Sequence, residues 1–242
     1  MSDIKLEAKN VSKVLGSGAG EVHALKHVDF RLNGSELTML MGPSGSGKTT
    51  LLSILGCMLA PTTGTVHVCG QSIEGADAEQ LALLRRQHIG FVFQQYHLFP
   101  TLTAAENVQL ALDLRGVTAK HARSASYDAL ARVGLSNRML SYPRELSGGE
   151  QQRVAIARAI VSKPSAILAD EPTAALDSHN GQAIMGILAD LAAQTECGVL
   201  VVTHDTRLTS FAHRIVNIED GRILGKHGAD KPRHLTAITG GH

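Results

Sequence analysis

The sequence predicts an α/β fold in which a mostly parallel, doubly wound sheet carries antiparallel strands at its N-terminal end and an inserted α-helical subdomain. Three observations support this prediction. Strand and helix patterns alternate at both ends of the 242-residue chain, residues 103–162 read almost entirely as helix, and a glycine-rich loop at residues 42–50 joins a short apolar run to a helical segment. The length suits one large domain with a substantial core.

Each predicted element rests on the spacing of its apolar residues. Period-two alternation and short apolar runs predict strands at 4–11, 23–32, 36–41, 65–70, 89–93, 165–170 and 198–203. A spacing of three to four residues predicts helices at 48–59, 78–88 and 178–194. An Asp-Gly turn predicts a hairpin at 214–224.

We divide the single predicted domain, residues 1–242, into three parts. Residues 1–93 and 164–224 form the α/β core, and residues 94–163 form the helical subdomain. Residues 225–242, which are rich in Gly, His and Lys, are expected to form a loose tail.

Composition and charge argue against several classes of protein. Lys and Arg total 23 against 22 Asp and Glu, so no basic excess favours nucleic acid as a partner. Three scattered cysteines form neither a metal-binding spacing nor a disulfide framework, which favours reduced thiols in a cytosolic protein. The N-terminal segment has no apolar signal-peptide region, and no apolar run approaches the roughly 18 residues of a membrane span.

The loop GPSGSGKTT fits the phosphate-binding pattern G-x-x-x-x-G-K-[ST]. Its glycines let backbone N–H groups point at phosphate oxygens, Lys48 reaches the β- and γ-phosphates, and the Thr49 hydroxyl is a Mg²⁺ ligand. The strand before the loop and the helix after it distinguish it from an ordinary glycine-rich turn. The predicted core is therefore that of a P-loop NTPase (RecA-like), with the nucleotide held by Gly42, Pro43, Ser44, Gly45, Ser46, Gly47, Lys48, Thr49 and Thr50.

Two adjacent carboxylates follow the apolar run in SAILADEPT. Asp170 and Glu171 stand at the C-terminal end of a predicted strand, which is the edge where a doubly wound sheet binds its ligand. We expect Asp170 to hold Mg²⁺ through water and Glu171 to polarise an attacking water as general base. Taken alone, such a pair is more often a solvated strand end, but its place downstream of a phosphate loop favours the catalytic interpretation.

A second anion-binding pattern, LSGGEQQRVAIARA, occupies residues 146–159. A serine and two glycines stand directly before a helical pattern, so free backbone N–H groups at this helix start suit an anion. Unlike the loop at 42–50, this segment has no phosphate lysine. Local chemistry does not explain why one chain has two such patterns and one such lysine.

Five motifs in a fixed order make the chain resemble the ATP-binding cassette (ABC) ATPases over roughly residues 4–224: GPSGSGKTT, FVFQQ, LSGGEQQR, ILADEPTAALD and VVTHD. The resemblance implies that Ser147, Gly148 and Gly149, the signature residues, contact the γ-phosphate of a nucleotide held by a second copy of the chain. It also implies that Asp177 lies at the seam of that dimer. Two copies would then enclose two ATP molecules, each between one copy's loop and the other's signature residues.

The same resemblance implies roles for two more residues. Gln94 in FVFQQ resembles the glutamine that touches Mg²⁺ and the γ-phosphate side and that joins the core to the helical insert. His204 in VVTHD resembles the switch histidine that hydrogen-bonds the γ-phosphate and steadies the attacking water. With ATP and Mg²⁺ as cofactors, the expected catalytic residues are Lys48, Gln94, Glu171 and His204, and the expected metal ligands are Thr49, Gln94 and Asp170.

The chain departs from the ABC pattern at the expected adenine site. Family members usually carry an upstream aromatic residue that stacks on the base, whereas the segment KVLGSGAGEVHALK places Leu15 near that position. Apolar contact from Leu15 and Val22 is the expected substitute. ATP is the expected nucleotide, and GTP is left open as an alternative.

Three functional classes fit a phosphate loop of this kind: the motor of a membrane transporter, a soluble ABC ATPase of DNA repair or translation, and a metabolic P-loop kinase. A kinase does not need LSGGEQQ. Repair members of the family carry a long coiled-coil insertion, and translation members usually hold two cassettes on one chain. The sequence therefore favours the ATPase subunit of a transporter.

The expected partners follow from the same resemblance. A permease on another polypeptide would hold the chain at the cytoplasmic face of the inner membrane, where the apolar loop residues Tyr96, Leu98 and Phe99 dock on it or, alternatively, pack into the helical insert. The runs around these motifs are similar to ATPases of macrolide exporters, lipoprotein-release systems and DevA-like glycolipid exporters. Those pair with four-helix permeases that have a periplasmic domain, and a periplasmic membrane-fusion adaptor is a further candidate partner. The expected function is export or release of a lipid, lipoprotein, peptide or drug; the alternative is an importer ATPase.

Overall fold

The computed structural model describes residues 3–224; residues 1, 2 and 225–242, including the expected tail, lie outside that range. The strands in chain order are β1 Ile4–Leu15, β2 Val22–Asn33, β3 Leu37–Met41, β4 Thr63–Val68, β5 Gln71–Ser72, β6 Ile89–Phe93, β7 Ala166–Asp170, β8 Gly198–Val202, β9 Arg214–Glu219 and β10 Arg222–Leu224. The α-helices are α1 Lys48–Leu55, α2 Ala78–His88, α3 Ala104–Asp113, α4 Ala119–Arg132, α5 Gly148–Ile160 and α6 Ser178–Gln194.

The strands form two sheets of opposite character. The six-stranded sheet has the order β10-β9-β3-β8-β7-β6; every neighbouring pair from β9 to β6 is parallel, and β10 joins β9 through an antiparallel hairpin. The four-stranded sheet has the order β2-β1-β4-β5 and is antiparallel throughout. The predicted fold class, a mostly parallel core with N-terminal antiparallel strands and inserted helices, is confirmed.

The central strands of the large sheet send alternate side chains into two cores, because successive residues of a strand point to opposite faces. In β8, Val199 and Val201 join the cluster formed with α3 to α6, whereas Leu200 and Val202 join the cluster formed with α1 and the small sheet. All four side chains are fully buried. Both faces of the strand are covered, which accounts for its continuous apolar run.

Helix α1 begins directly after the glycine-rich loop and packs between the two sheets. The apolar pattern predicted a helix to Leu59, but α1 ends at Leu55. At Gly56 a Cβ would clash with the Phe91 ring of β6, and Cys57 then takes a left-handed φ of 56°. The helix therefore stops where it meets β6, one turn before its apolar pattern ends.

Strands β1 and β2 are longer than their alternation predicts. β1 continues past Val11 to Leu15 and pairs with β2 up to the partners Leu15 and Val22. These two residues are thereby held opposite each other at the turn end of the hairpin, next to the connection at residues 16–21. Leu15 and Val22 are the two residues expected to contact the nucleotide base, and the longer strands place them side by side.

Helices α3, α4 and α5 occupy much of the stretch 103–162 that reads as helix in the sequence, but residues 133–147 form turns and one short 3-10 helix, so the prediction of almost continuous helix is wrong there. Thr103 and Ser147 cap α3 and α5 through reciprocal bonds with Glu106 and Glu150. The three helices pack on one another, and α5 also packs on β6. The limits of a helical subdomain at 94–163 stay a prediction. Between residues 3 and 224, no helix has both the length and the apolar character needed to cross a membrane.

Candidate nucleotide site

The glycine-rich loop between β3 and α1 takes a shape that requires glycine. Gly47 has a φ of 102°, and a Cβ there would lie 2.5 Å from the carbonyl oxygen of Ala24 in β2. The loop therefore lies close against the backbone of β2. The first turn of α1, whose N–H groups have no partners within the helix, follows at once and suits an anion.

Lys48, the first residue of α1, folds back over the loop. Its Nζ donates to the carbonyl oxygens of Gly42 at 2.8 Å and Pro43 at 2.7 Å, and the residue is buried. An ammonium group has three donors, so two hold the loop and the third is available to a phosphate. The side chain thus both orders the loop and places a positive charge beside it.

Thr49 and Asp170 bring two oxygen groups together from α1 and β7. Thr49 Oγ1 lies 3.4 Å from Asp170 Oδ1. Burial raises the pKa of the Asp170 carboxyl; the Thr49 hydrogen bond opposes that shift, the charge of Glu171 adds to it and the charge of Lys48 opposes it. A hydroxyl and a carboxylate are hard oxygen ligands that suit Mg²⁺, and a bound dication would favour the ionised carboxylate.

Glu171 and His204 form a pair beside this carboxylate. His204 Nδ1 lies 2.8 Å from Glu171 Oε1, and because an ionised carboxylate only accepts hydrogen bonds, Nδ1 carries the proton. Glu171 has a φ of 48°, which is uncommon outside glycine, and its N–H donates to the Val202 carbonyl at 2.9 Å. The backbone bond and the imidazole together orient the carboxylate.

These groups line one cleft of about 1120 Å³, a size that suits a small-molecule ligand. Leu15, Val22 and His23 line the same cleft at the end of the β1–β2 hairpin, and Gly42 lies at the base of the loop. The structure thus brings together twelve of the predicted site residues: Pro43, Ser44, Gly45, Ser46, Gly47, Lys48, Thr49, Thr50, Gln94, Asp170, Glu171 and His204.

The residues predicted to serve a second copy of the chain lie outside the lining of this cleft: Ser147, Gly148, Gly149 and Asp177. Ser147 Oγ caps α5 by accepting from the Glu150 N–H at 3.3 Å, and Asp177 caps α6 by accepting from the Asn180 N–H at 2.9 Å. A Cβ on Gly149 would lie 2.8 Å from Asn180 Oδ1, so the two helix starts are in contact.

Residues 25–174 match the family described as ABC transporter. This chain belongs to the ABC transporter family. The family's macrolide export ATP-binding/permease protein MacB from Salmonella choleraesuis (strain SC-B67) is 45% identical over 233 residues, which cover 96% of this chain and 36% of MacB. The pyoverdine export ATP-binding/permease protein PvdT from Pseudomonas fluorescens (strain Pf0-1) is 43% identical over 230 residues, which cover 94% of this chain and 35% of PvdT. The chain thus spans about a third of the length of these curated relatives.

Cassettes of ABC transporters with known structure share this fold. The dimeric ATP-binding cassette MJ0796, in a post-hydrolysis state bound to ADP and Pi, aligns with a TM-score of 0.83 and 41% identity over 91% of this chain and 97% of that chain. The cassette cbiO1 from Clostridium perfringens, part of the ABC transporter complex cbiONQ, aligns with a TM-score of 0.83 and 25% identity over 93% of this chain and 88% of that chain. The predicted family and enzyme class, an ATPase cassette, are confirmed.

The cassette's loop after Gln94 separates the three apolar residues that the sequence groups together. Tyr96 is half-buried, and its hydroxyl lies 2.8 Å from where a Cβ on Gly148 would stand. Leu98 packs against the helical core cluster, whereas Phe99 is 55% exposed. Packing into the helical insert therefore applies to Tyr96 and Leu98, and docking on a permease stays a prediction for the exposed Phe99.

Two residues of α5 to which the sequence assigned no role contact the backbone next to site residues: Gln152, inside the motif LSGGEQQR, and Arg158, after it. The Arg158 guanidinium donates to the carbonyl oxygens of His97 at 2.6 Å and Tyr96 at 2.7 Å, two residues with left-handed φ of 49° and 51°. Burial lowers the pKa of Arg158. The signal in the sequence was an arginine inside the apolar run VAIARAI, since a buried cation needs partners.

Proposed function

We propose that this cassette binds and hydrolyses Mg²⁺-ATP between two copies of the chain and thereby drives a permease that exports or releases a lipid, lipoprotein, peptide or drug. The observation that carries the proposal is the cleft in which the glycine-rich loop, Lys48, Asp170 and the Glu171–His204 pair meet. Each group there suits one task in phosphoryl transfer to water, which depends mainly on positioning and neutralisation of charge.

We assign the binding of Mg²⁺ to Thr49, Gln94 and Asp170. The Thr49 hydroxyl and the Asp170 carboxylate lie 3.4 Å apart, and Gln94 lines the same cleft. When bound, the ion neutralises negative charge on the β- and γ-phosphates. Lys48 and the loop N–H groups hold the phosphate oxygens of the nucleotide.

Glu171 is the proposed general base and His204 its orienting partner. The carboxylate is held by the imidazole at 2.8 Å and by a backbone bond to β8, so its direction is set before the nucleotide binds. A base that is oriented in advance loses less freedom when it polarises the attacking water. In this proposal, His204 also reaches the γ-phosphate.

The proposed working form is a two-fold dimer that encloses two ATP molecules. Ser147, Gly148, Gly149 and Asp177 do not line the cleft of their own chain, which is the arrangement expected if they serve the other copy's nucleotide. The dimeric MJ0796 cassette supports this form. ATP then joins the copies, and hydrolysis separates them.

The proposed task is export, with an importer ATPase as the alternative. The names of MacB and PvdT, both export ATP-binding/permease proteins, support export. We propose that the partner permease has four membrane helices and a periplasmic domain, with a periplasmic membrane-fusion adaptor beyond it, and that Phe99 contributes to the permease contact. The cassette would then act at the cytoplasmic face of the inner membrane.

Two measurements test this proposal. Phosphate release by the purified chain should require ATP and Mg²⁺ and stop when EDTA removes the metal. A parallel assay with GTP shows whether the site, where Leu15 and Val22 are expected to contact the base, prefers adenine. Affinity purification from detergent-solubilised membranes, followed by mass spectrometry, should recover a four-helix permease. A chain that releases no phosphate from ATP would contradict the ATPase proposal, and recovery of an import system with a substrate-binding protein would contradict export.

A further inference from the structure

Gln152, on α5, places a buried carboxamide between the two backbone segments that carry proposed catalytic groups. Its side chain is fully buried. Its Nε2 donates to the carbonyl oxygen of Pro172 at 2.6 Å and to that of Phe93 at 3.3 Å. Pro172 directly follows Glu171, and Phe93 directly precedes Gln94. One amide group therefore joins the neighbours of the proposed base and of the proposed metal-contacting glutamine.

The orientation of this amide follows from its partners. Both are carbonyl oxygens, which only accept, so the NH₂ end of Gln152 must face them. Within residues 3–224, no group donates to the buried Gln152 Oε1. A buried acceptor without a donor destabilises a fold, and this offsets part of what the two bonds to carbonyl oxygens contribute to stability. The contacts of Gln152 therefore fit a positioning role better than a packing role.

Helix α5 holds the segment around Gln94 from both ends. Gln152 bonds to Phe93 at the start of this segment, and Arg158 bonds to Tyr96 and His97 at its end. The same helix begins at the signature residues. The bonds span 2.6 to 3.3 Å, so a displacement of α5 either breaks them or moves the backbone on either side of Gln94 and the backbone next to Glu171.

We propose that Gln152 is a positioning residue for ATP hydrolysis, which keeps Glu171 and Gln94 in register with the signature residues at the start of α5. The inference rests on the ATPase function proposed above. Gln152 lies outside the lining of the nucleotide cleft, so it acts through its two carbonyl partners and not on the nucleotide.

Two substitutions remove the bonds while keeping the size of the side chain. Gln152→Met removes both donors and the unpaired acceptor, and Gln152→Glu keeps the shape but replaces the donors with acceptors. We expect kcat for ATP hydrolysis to fall by about tenfold or more in both variants, while KM and monomer ATP affinity change by less than about threefold, because only positioning in the transition state is lost. The melting temperature of Gln152→Met should stay within about 4 °C of the unchanged chain.

Asn107, in α3, offers a matched control because it is an equally buried carboxamide with full bonding. It accepts from the Phe99 N–H and donates to the carbonyl oxygens of Phe99, Leu102 and Thr103. Asn107→Leu should lower the melting temperature by more than Gln152→Met does and leave kcat of the folded protein within about twofold.

Three results would overturn the inference: kcat within about twofold of the unchanged chain in both Gln152 variants, a rise in KM that accounts for the lost kcat/KM, or a kcat loss no larger than that of Asn107→Leu. If Gln152→Met does not fold, kcat of Gln152→Glu alone tests the positioning role of Gln152. An unchanged chain that hydrolyses no ATP would overturn this inference and the proposed function together, whereas normal hydrolysis in the Gln152 variants would overturn the inference alone.

Discussion

Glu171 combines an uncommon backbone conformation with two contacts that hold its position. Its backbone is left-handed, its N–H is bonded to β8, and its side chain is paired with His204. Backbone strain of this kind persists where the surrounding structure holds it, and it is concentrated at functional sites. The geometry therefore supports the assignment of Glu171 as the base.

Glu171→Gln should lower ATP hydrolysis by about 100-fold or more, because an amide keeps the size of the side chain but does not accept a proton from water. ATP binding should persist, since the loop and Lys48 are unaltered. Phosphate release and equilibrium nucleotide binding measure the two effects, and Glu79→Gln, an exposed position in α2, is the control. Near-normal turnover in the Glu171 variant would remove Glu171 from the role of base.

Lys48→Ala should act on binding itself. The ammonium group holds the carbonyl oxygens of Gly42 and Pro43 and supplies charge for the phosphates, so its loss should weaken ATP affinity by about tenfold or more. Isothermal titration calorimetry measures this, with Lys120→Ala on the exposed face of α4 as the control. An unchanged ATP affinity would contradict the role given to Lys48.

Among the elements, β3 and β9 are tied together at the end of the sheet opposite the nucleotide cleft. Glu36, just before β3, accepts from Arg214 Nε of β9 at 2.6 Å, from Asn33 Nδ2 at 2.7 Å and from the Thr38 hydroxyl. Burial by itself would raise the pKa of the Glu36 carboxyl, but the hydrogen bonds from Thr38, Arg214 and Asn33 outweigh it and lower the pKa below its usual 4.5.

The lowered pKa of Glu36 makes this tie sensitive to acid. A depressed carboxyl pKa contributes stability above the unfolded value of 4.5, and that contribution is lost as the pH falls through the folded value. Glu36→Gln should therefore be less stable at pH 7 by about 1–3 kcal/mol, and the difference should shrink at a pH of about 3.5. Urea unfolding at both pH values measures this. A difference that does not change with pH would show that the Glu36 charge is not the cause.

Helix α5 joins the helical part of the cassette to the large sheet. It begins at the signature residues, packs on α3, α4 and β6, and bonds to the segment around Gln94. Its apolar run predicts a buried helix from local spacing alone. The partners of its two buried polar side chains, Gln152 and Arg158, come from distant parts of the chain.

At the level of the whole molecule, two helix starts within residues 3–224, those of α1 and α5, have the residues expected to bind an anion; the start of α1 lines the chain's own cleft, and the start of α5 does not. A two-fold axis between two copies would bring the start of α5 in each copy to the nucleotide held at the start of α1 in the other copy. The same contact would then form twice. This arrangement is the reason to expect dimerisation that depends on ATP.

Ser147→Arg should abolish ATP-dependent dimerisation and hydrolysis, because a long cation at the start of α5 would block the approach of the other copy. Monomer ATP binding should be nearly unchanged, since Ser147 lies outside its own cleft. Light scattering after size exclusion, in the Glu171→Gln background that retains ATP, measures the dimer, with exposed Ser124→Arg as the control. Loss of ATP binding by the monomer would show that the segment around Ser147 serves its own chain's nucleotide, and would contradict the dimer model.

Much of the secondary structure follows from local patterns. Helices α2 and α6 and strand β6 have the predicted bounds, because a capping aspartate precedes each helix and a continuous apolar run marks the strand. Helix α1 is shorter than its apolar pattern: it ends at Leu55, before Gly56, whose lack of a side chain leaves room for the Phe91 ring of the distant strand β6.

The motifs in the sequence were sufficient to predict the family, the phosphate loop and the acidic strand end, since each is a run of residues whose spacing carries its chemistry. Contacts between distant runs were not predictable in this way. The bond between His204 and Glu171 joins residues 33 positions apart, and that between Arg158 and Tyr96 joins residues 62 apart. Such pairs depend on how strands are ordered in the sheet and on which helix face is buried. Only the tertiary structure decides these features, because they arise from packing of the whole chain and leave no local period in the sequence.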